Sequence, residues 1–166
     1  MGYAEDLLEQ AEHLAQRELK KPRQASLRRS ASAAYYALFH LLVREAAKRF
    51  SPQNPSGLQQ LWQRAFVHAE MKEVCSKFAS GNPKNLQSLL PDKPHPDLIT
   101  VAKAFVDLQE ARHRADYDLS RAVSRQDAID RIKIAQNAFH AWNSIRNTPD
   151  AAVFLSALLL GKRWLR

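Results

Sequence analysis

The stretch ASLRRSASAAYYALFHLLVREAAKRF (25–50) contains neither Gly nor Pro and predicts one long helix over about 25–49. Between Ala31 and Val43 it is nearly apolar all round, the pattern of a helix packed on several sides rather than one lying on a surface. A central helix of this kind needs other helices or a sheet to cover it. The rest of the chain supplies helices. Residues 3–20 place Ala4, Leu7, Leu8, Ala11, Leu14 and Ala15 at three- and four-residue spacing, with acids opposite, and Pro22 ends that run. SPQNPSG (51–57) reads as a loop, and helical spacing resumes over about 57–79 through Leu58, Leu61, Trp62, Phe66, Val74 and Phe78.

GNPKNLQSLLPDKPHP (81–96) is a long connection of the sort that carries function or moves. A helix over about 97–116 follows, with Leu98, Val101, Ala102, Phe105 and Leu108 on one stripe and Arg112 on its continuation. Ser124 and Asp127 predict an N-terminal cap for a helix over 125–146, and Thr148 with Pro149 opens a last helix reaching about 164. The reading is an all-α, up-and-down bundle of five to six helices in a single domain over 1–166. With only 4 Gly and 8 Pro in 166 residues, an all-β chain, which turns every ~8–12 residues, is not expected.

Charge and cysteine usage set further bounds. Lys and Arg number 25 against 17 Asp and Glu, a net charge of +8 that favours an anionic partner. The excess is uneven. Residues 1–16 carry Glu5, Asp6, Glu9 and Glu12 without a single Lys or Arg; Arg17, Lys20, Lys21, Arg23, Arg28 and Arg29 then follow against Glu18 alone, and Lys162, Arg163 and Arg166 close the chain. Lys20, Lys21, Arg23, Arg28 and Arg29, together with Arg114 further on, are the candidate RNA-binding cations. A solvated turn with basic residues near a helix C-terminus accounts for the same cluster. The single cysteine, Cys75, allows no intrachain disulfide and reads as a structural thiol. The acidic N-terminus is not a signal peptide, and the apolar run AAVFLSALLLG (151–161) is too short to span a bilayer, so a cytoplasmic protein without a membrane partner is expected.

The chemistry of the usual motifs is missing. The six histidines show no metal-ligand spacing, and there is no Gly-rich phosphate loop and no GxSxG elbow, so neither metal nor cofactor is expected. LQEARHRADYD (108–118) is the informative segment. Arg112 falls on the buried stripe, where an unpaired guanidinium is costly, and Asp116 four residues on forms a structural pair with it. Arg112, His113, Arg114 and Tyr117 also make a candidate cluster facing a cleft; Tyr35, Tyr36 and His40 form a second cluster, read as core packing.

LRRSASAAYYALFHLLV (27–43) and RHRADYDLS (112–120) together resemble HEPN-domain proteins. The first is similar to the long HEPN helix with its Tyr-Tyr-Ala-x-Phe-His pattern, the second to the Arg-x-x-Ala-Asp-Tyr-Asp segment of one large bacterial and archaeal subfamily. The resemblance covers about residues 5–146. It implies a helical bundle that dimerises, an RNA-directed function, metal-independent endoribonuclease activity of the kind used by toxin–antitoxin systems, and a small nucleotidyltransferase antitoxin as protein partner. Nucleases of this family carry Arg and, after four to six residues, His. No Arg–His pair here has that spacing; Arg64 and His68 have three residues between them, and Arg112 is followed after four by Tyr117. On this reading Arg112 and Arg114 hold the scissile phosphate, while Tyr117 or His113 positions or activates the ribose hydroxyl. A non-catalytic helical interaction module, and a nucleotide- or small-ligand-binding bundle with 81–96 as its lid, are the alternatives.

Overall fold

The computed structural model describes residues 2–53, 58–90 and 93–165; 54–57, 91, 92 and 166 of the segments discussed above lie outside them. The described residues contain no strand. They form seven α-helices, α1 (Tyr3–Gln16), α2 (Gln24–Phe50), α3 (Leu58–Ala65), α4 (His68–Ala79), α5 (Pro96–Tyr117), α6 (Arg125–Ile145) and α7 (Pro149–Leu160), with short 3₁₀ turns at Lys84–Leu89 and Gly161–Leu165.

The central position expected of 25–50 is realised in α2. Leu27, Ala34, Tyr35, Ala37, Leu38 and Leu42 are all essentially inaccessible, and α2 packs on α1, α5 and α6. Cross-helix contacts give the directions. Ser30 Oγ donates to the Ala11 carbonyl while Arg44 binds Glu5, so α1 and α2 are antiparallel. Ser32 meets Asp116 near the start of α2 and the end of α5, and Gln24 meets Val123 just before α6, which makes α5 antiparallel and α6 parallel to α2. Four helices thus run up and down around a core that includes Phe105, Leu108, Ile132 and Trp142.

Four elements depart from the sequence reading, among them α7, which ends at Leu160 rather than near 164 and gives way to a 3₁₀ turn. α1 stops at Gln16 rather than near 20, because Glu18 turns to cap the next helix: its carboxylate accepts from Arg23 N at 3.3 Å and Ser26 Oγ at 2.8 Å. Leu19 is left fully to solvent. The helix expected over 57–79 is two helices, broken where Val67 adopts an extended backbone beside the buried Phe66. The 81–96 connection is partly anchored, its 3₁₀ turn burying Leu86 and Leu90.

The caps of the later helices follow the sequence closely. Ser124 and Asp127 form a reciprocal capping box on α6, and the Thr148 hydroxyl accepts from Ala151 N with Pro149 in the first turn of α7. α7 closes the open side of the bundle, with Phe154 edge-on to Phe78 at 5.0 Å. It ends at Gly161, whose φ of +53° suits glycine and whose missing Cβ leaves room for the Glu70 carboxylate. No helix among the described residues is long and apolar enough to cross a membrane.

Candidate functional site

Arg112 emerges from α5 on its buried stripe and meets the middle of α2. Its Nε lies 3.0 Å from Asp116 Oδ2, and the other oxygen of that carboxylate accepts from Ser32 Oγ at 2.6 Å. The guanidinium carbon sits 5.8 Å from the Tyr35 ring centre and 5.5 Å from that of Tyr36. Asp116 compensates the charge and the two ring faces add cation–π attraction, which together offset the cost of placing a guanidinium where it is only 19% exposed.

The break at Val67 brings a further residue to this place. His68 opens α4, and its Nδ1 lies 2.5 Å from the Tyr35 hydroxyl. Tyr35 is completely buried, and burial pushes its phenol well above the ordinary value, so it keeps its proton. Burial lowers His68, and the nearby Arg112 charge lowers it further. A neutral imidazole accepting from Tyr35 at Nδ1 carries its own proton on Nε2. The ring is fixed further by stacking on Phe39 at 4.2 Å, while Gln109 Nε2 donates to the His68 carbonyl at 3.0 Å. His40, lowered chiefly by burial and secondarily by His68, packs against Tyr36, Phe39 and the exposed Tyr3.

The two clusters drawn from sequence are therefore partly joined and partly separated. Tyr35 and Tyr36 are not only core; they form the wall on which Arg112 rests. Tyr117 does not converge with Arg112, since five residues along a helix turn the side chain by about 140°. Tyr117 instead stands on the outside, two-thirds exposed, against the His113 ring at 4.9 Å. Arg112, His113 and Arg114 do border one open depression of about 410 Å³, together with Gln109 and with Lys72 and Glu110, which pair at 3.0 Å.

His68 was the residue that sequence reasoning left out of the site. The signal was the short Arg64–His68 interval, but its meaning lies elsewhere, 33 positions away in Tyr35.

The basic junction divides in the same way. Lys20, Lys21, Arg23 and Arg29 are exposed. Arg28, expected among the RNA-binding cations, is engaged inside the fold: its guanidinium donates to the carbonyls of Ala115, Asp118 and Arg121 at 2.8, 2.9 and 2.6 Å. The last turn of α5 and its cap present carbonyls without helical partners, which accounts for Ala115 and Asp118, while Arg121 lies in the connection beyond. Cys75 is fully buried and its thiol is pushed up by burial, so it is unreactive packing. Among the described residues no group of three or more His, Cys, Asp or Glu is arranged to hold a metal ion. Comparison of the chain with protein-family models, with curated proteins and with solved structures finds no match.

Proposed function

We propose that the chain is an RNA-directed protein of HEPN type, a metal-independent endoribonuclease acting as a homodimer in the cytoplasm. The observation that carries this reading is Arg112, held in a fixed pose by Asp116 and the two tyrosine rings, beside a neutral, half-buried His68. RNA cleavage without a metal needs little else. The ribose 2′-oxygen attacks the neighbouring phosphorus and loses its proton to a base; the P–O5′ bond breaks, and the 5′-oxygen gains a proton. The products are a 2′,3′-cyclic phosphate and a 5′-hydroxyl.

Each candidate group has a task in that reaction. Arg112 neutralises charge growing on the non-bridging oxygens, where a preorganised donor contributes most. His68 Nε2–H is a second donor to the same group. His113, on the rim of the depression shared with Arg112, takes the 2′-proton, and Tyr117 orients it through their ring contact. A nucleotidyltransferase-type protein, as in toxin–antitoxin pairs, is the partner this reading brings with it.

The experiment is cleavage of RNA by EDTA-treated protein, with end-group analysis of the products. Cyclic-phosphate ends are expected, and Arg112→Ala is expected to lower the rate by about 10²–10³-fold with helix content unchanged. Cleavage that survives the substitution would remove Arg112 from the site. Failure of the wild type to cleave or bind RNA, with a stable protein complex in pull-down, would favour the interaction-module reading.

A further inference from the structure

A second cavity opens where α5 ends and α6 begins, about 320 Å³ in volume and so at the small end of the range that takes a nucleotide-sized ligand. Arg114 and Arg121, both exposed, and the half-buried Arg131 line it above Ala31, Ala111 and Ala115, whose small buried side chains are what leave the space. Two carboxylates also border the cavity, but both are turned to other work. Asp118 accepts from the backbone N of Ser120 at 3.0 Å and from its hydroxyl, and Asp127 is the capping partner of Ser124. Each also feels one of the cavity's arginines, since the Arg121 charge helps to lower the Asp118 carboxyl and the Arg131 charge that of Asp127. Three cations facing two carboxylates leave one net positive charge, which matches the single negative charge of a phosphodiester better than the nearly double charge of a phosphomonoester.

The wall of this cavity is built rigidly for a surface segment. Arg28 ties down the carbonyls of Ala115, Asp118 and Arg121, and Gln24 exchanges two 2.8 Å hydrogen bonds with the backbone of Val123. Residues 115–123 are thereby held open before any ligand arrives, which lowers the ordering cost of binding. Arg114 belongs both to this cavity and to the depression beside Arg112.

We infer that the cavity is a second phosphate subsite of an RNA track: Arg114, Arg121 and Arg131 take one backbone phosphodiester, and the alanine floor takes the face of the attached nucleoside. The inference rests on the RNA-directed reading above and extends it to a cavity that shares Arg114 with the depression beside Arg112. Arginine suits the task because its planar fork grips phosphate oxygens in pairs. Arg28 and Gln24 are positioning residues for the subsite.

The test is binding of a short single-stranded RNA by fluorescence anisotropy, between about 50 and 200 mM salt, with wild type, Arg112→Ala, the double variant Arg121→Ala/Arg131→Ala, and Arg163→Ala as a control cation outside the track. Each lost phosphate contact on a single strand changes the log–log salt slope by about 0.7, and the subsite holds one phosphodiester, so the double variant is expected to flatten the slope by about 0.7 and to bind at least about tenfold more weakly. Arg121→Lys/Arg131→Lys is expected to keep the slope while losing part of the affinity, because lysine retains the charge but not the fork. Thermal unfolding of each variant separates lost contacts from lost fold. Wild-type affinity and slope in the folded double variant overturn the subsite. Adenosine monophosphate binding the cavity more tightly than the RNA strand also overturns it, in favour of a free-nucleotide site. The two readings fail separately: slope lost in the double variant without any cleavage by wild type keeps the subsite and removes the nuclease, whereas cleavage lost only in Arg112→Ala with the slope intact does the reverse.

Discussion

Glu5 shows how much a single side chain does at the open end of α1. It takes two hydrogen bonds from Arg44, at 2.6 and 2.7 Å, and a third from the backbone of Gly2. The Arg44 hydrogen bond is the chief reason its carboxyl is held down to about 2. A carboxylate with a folded value below its unfolded one, ~4.3, contributes stability that is complete above ~4.3 and disappears as the pH falls through the folded value. The two side chains are 32% and 26% exposed, so solvent screening limits the contribution to about 1 kcal/mol. Glu5→Gln is therefore expected to cost about 1 kcal/mol at neutral pH, and its urea-unfolding midpoint should converge on that of wild type as the pH is taken from about 4.5 down to 2. Parallel midpoints across that window would mean that the pair contributes nothing. At this scale the sequence was readable where partners are close. Arg112 and Asp116 stand four residues apart on one helix, and their pairing follows from the period; Glu5 and Arg44 stand 39 apart, and nothing local announces them.

Helix ends are where local chemistry and tertiary contact meet. The Ser124–Asp127 box and the Thr148–Pro149 start were legible because a cap is satisfied within three residues. The end of α5 was not, since its carbonyls are satisfied by Arg28 from another helix. Arg28→Ala leaves three carbonyls without that donor. The expected result is a loss of about 2 kcal/mol or more, together with faster amide hydrogen exchange across residues 115–123 than in α1 or α4. Uniformly faster exchange would show instead that Arg28 acts on the whole bundle. The split of the expected 57–79 helix belongs to the same scale. Its apolar spacing continues through the break, so periodicity joins two helices that the extended backbone at Val67 separates. That separation is what sets His68 at a helix start beside Tyr35.

Across the whole molecule, α7 completes the bundle instead of standing apart from it. Phe154, fully buried, meets Phe78 of α4 and Trp142 of α6, and so closes three elements into one core. Phe154→Ala should cost about 3–5 kcal/mol, the loss typical of a large aromatic whose site cannot collapse, read as a fall in the midpoint of chemical unfolding. A change below about 1 kcal/mol, the ordinary size for a surface position, would place α7 outside the cooperative unit.

The helical class, the central place of α2 and the run of later helices were already present in the order of residues, because apolar periodicity and turn chemistry act over a few positions. The net charge of +8 was present too, but not its use. Whether a given arginine faces solvent, clamps a helix end as Arg28 does, or rests on aromatic rings as Arg112 does depends on which helices cross near it. Helix crossing is a property of the packed core, summed over many weak contacts far apart in the chain, and no short window of sequence contains it.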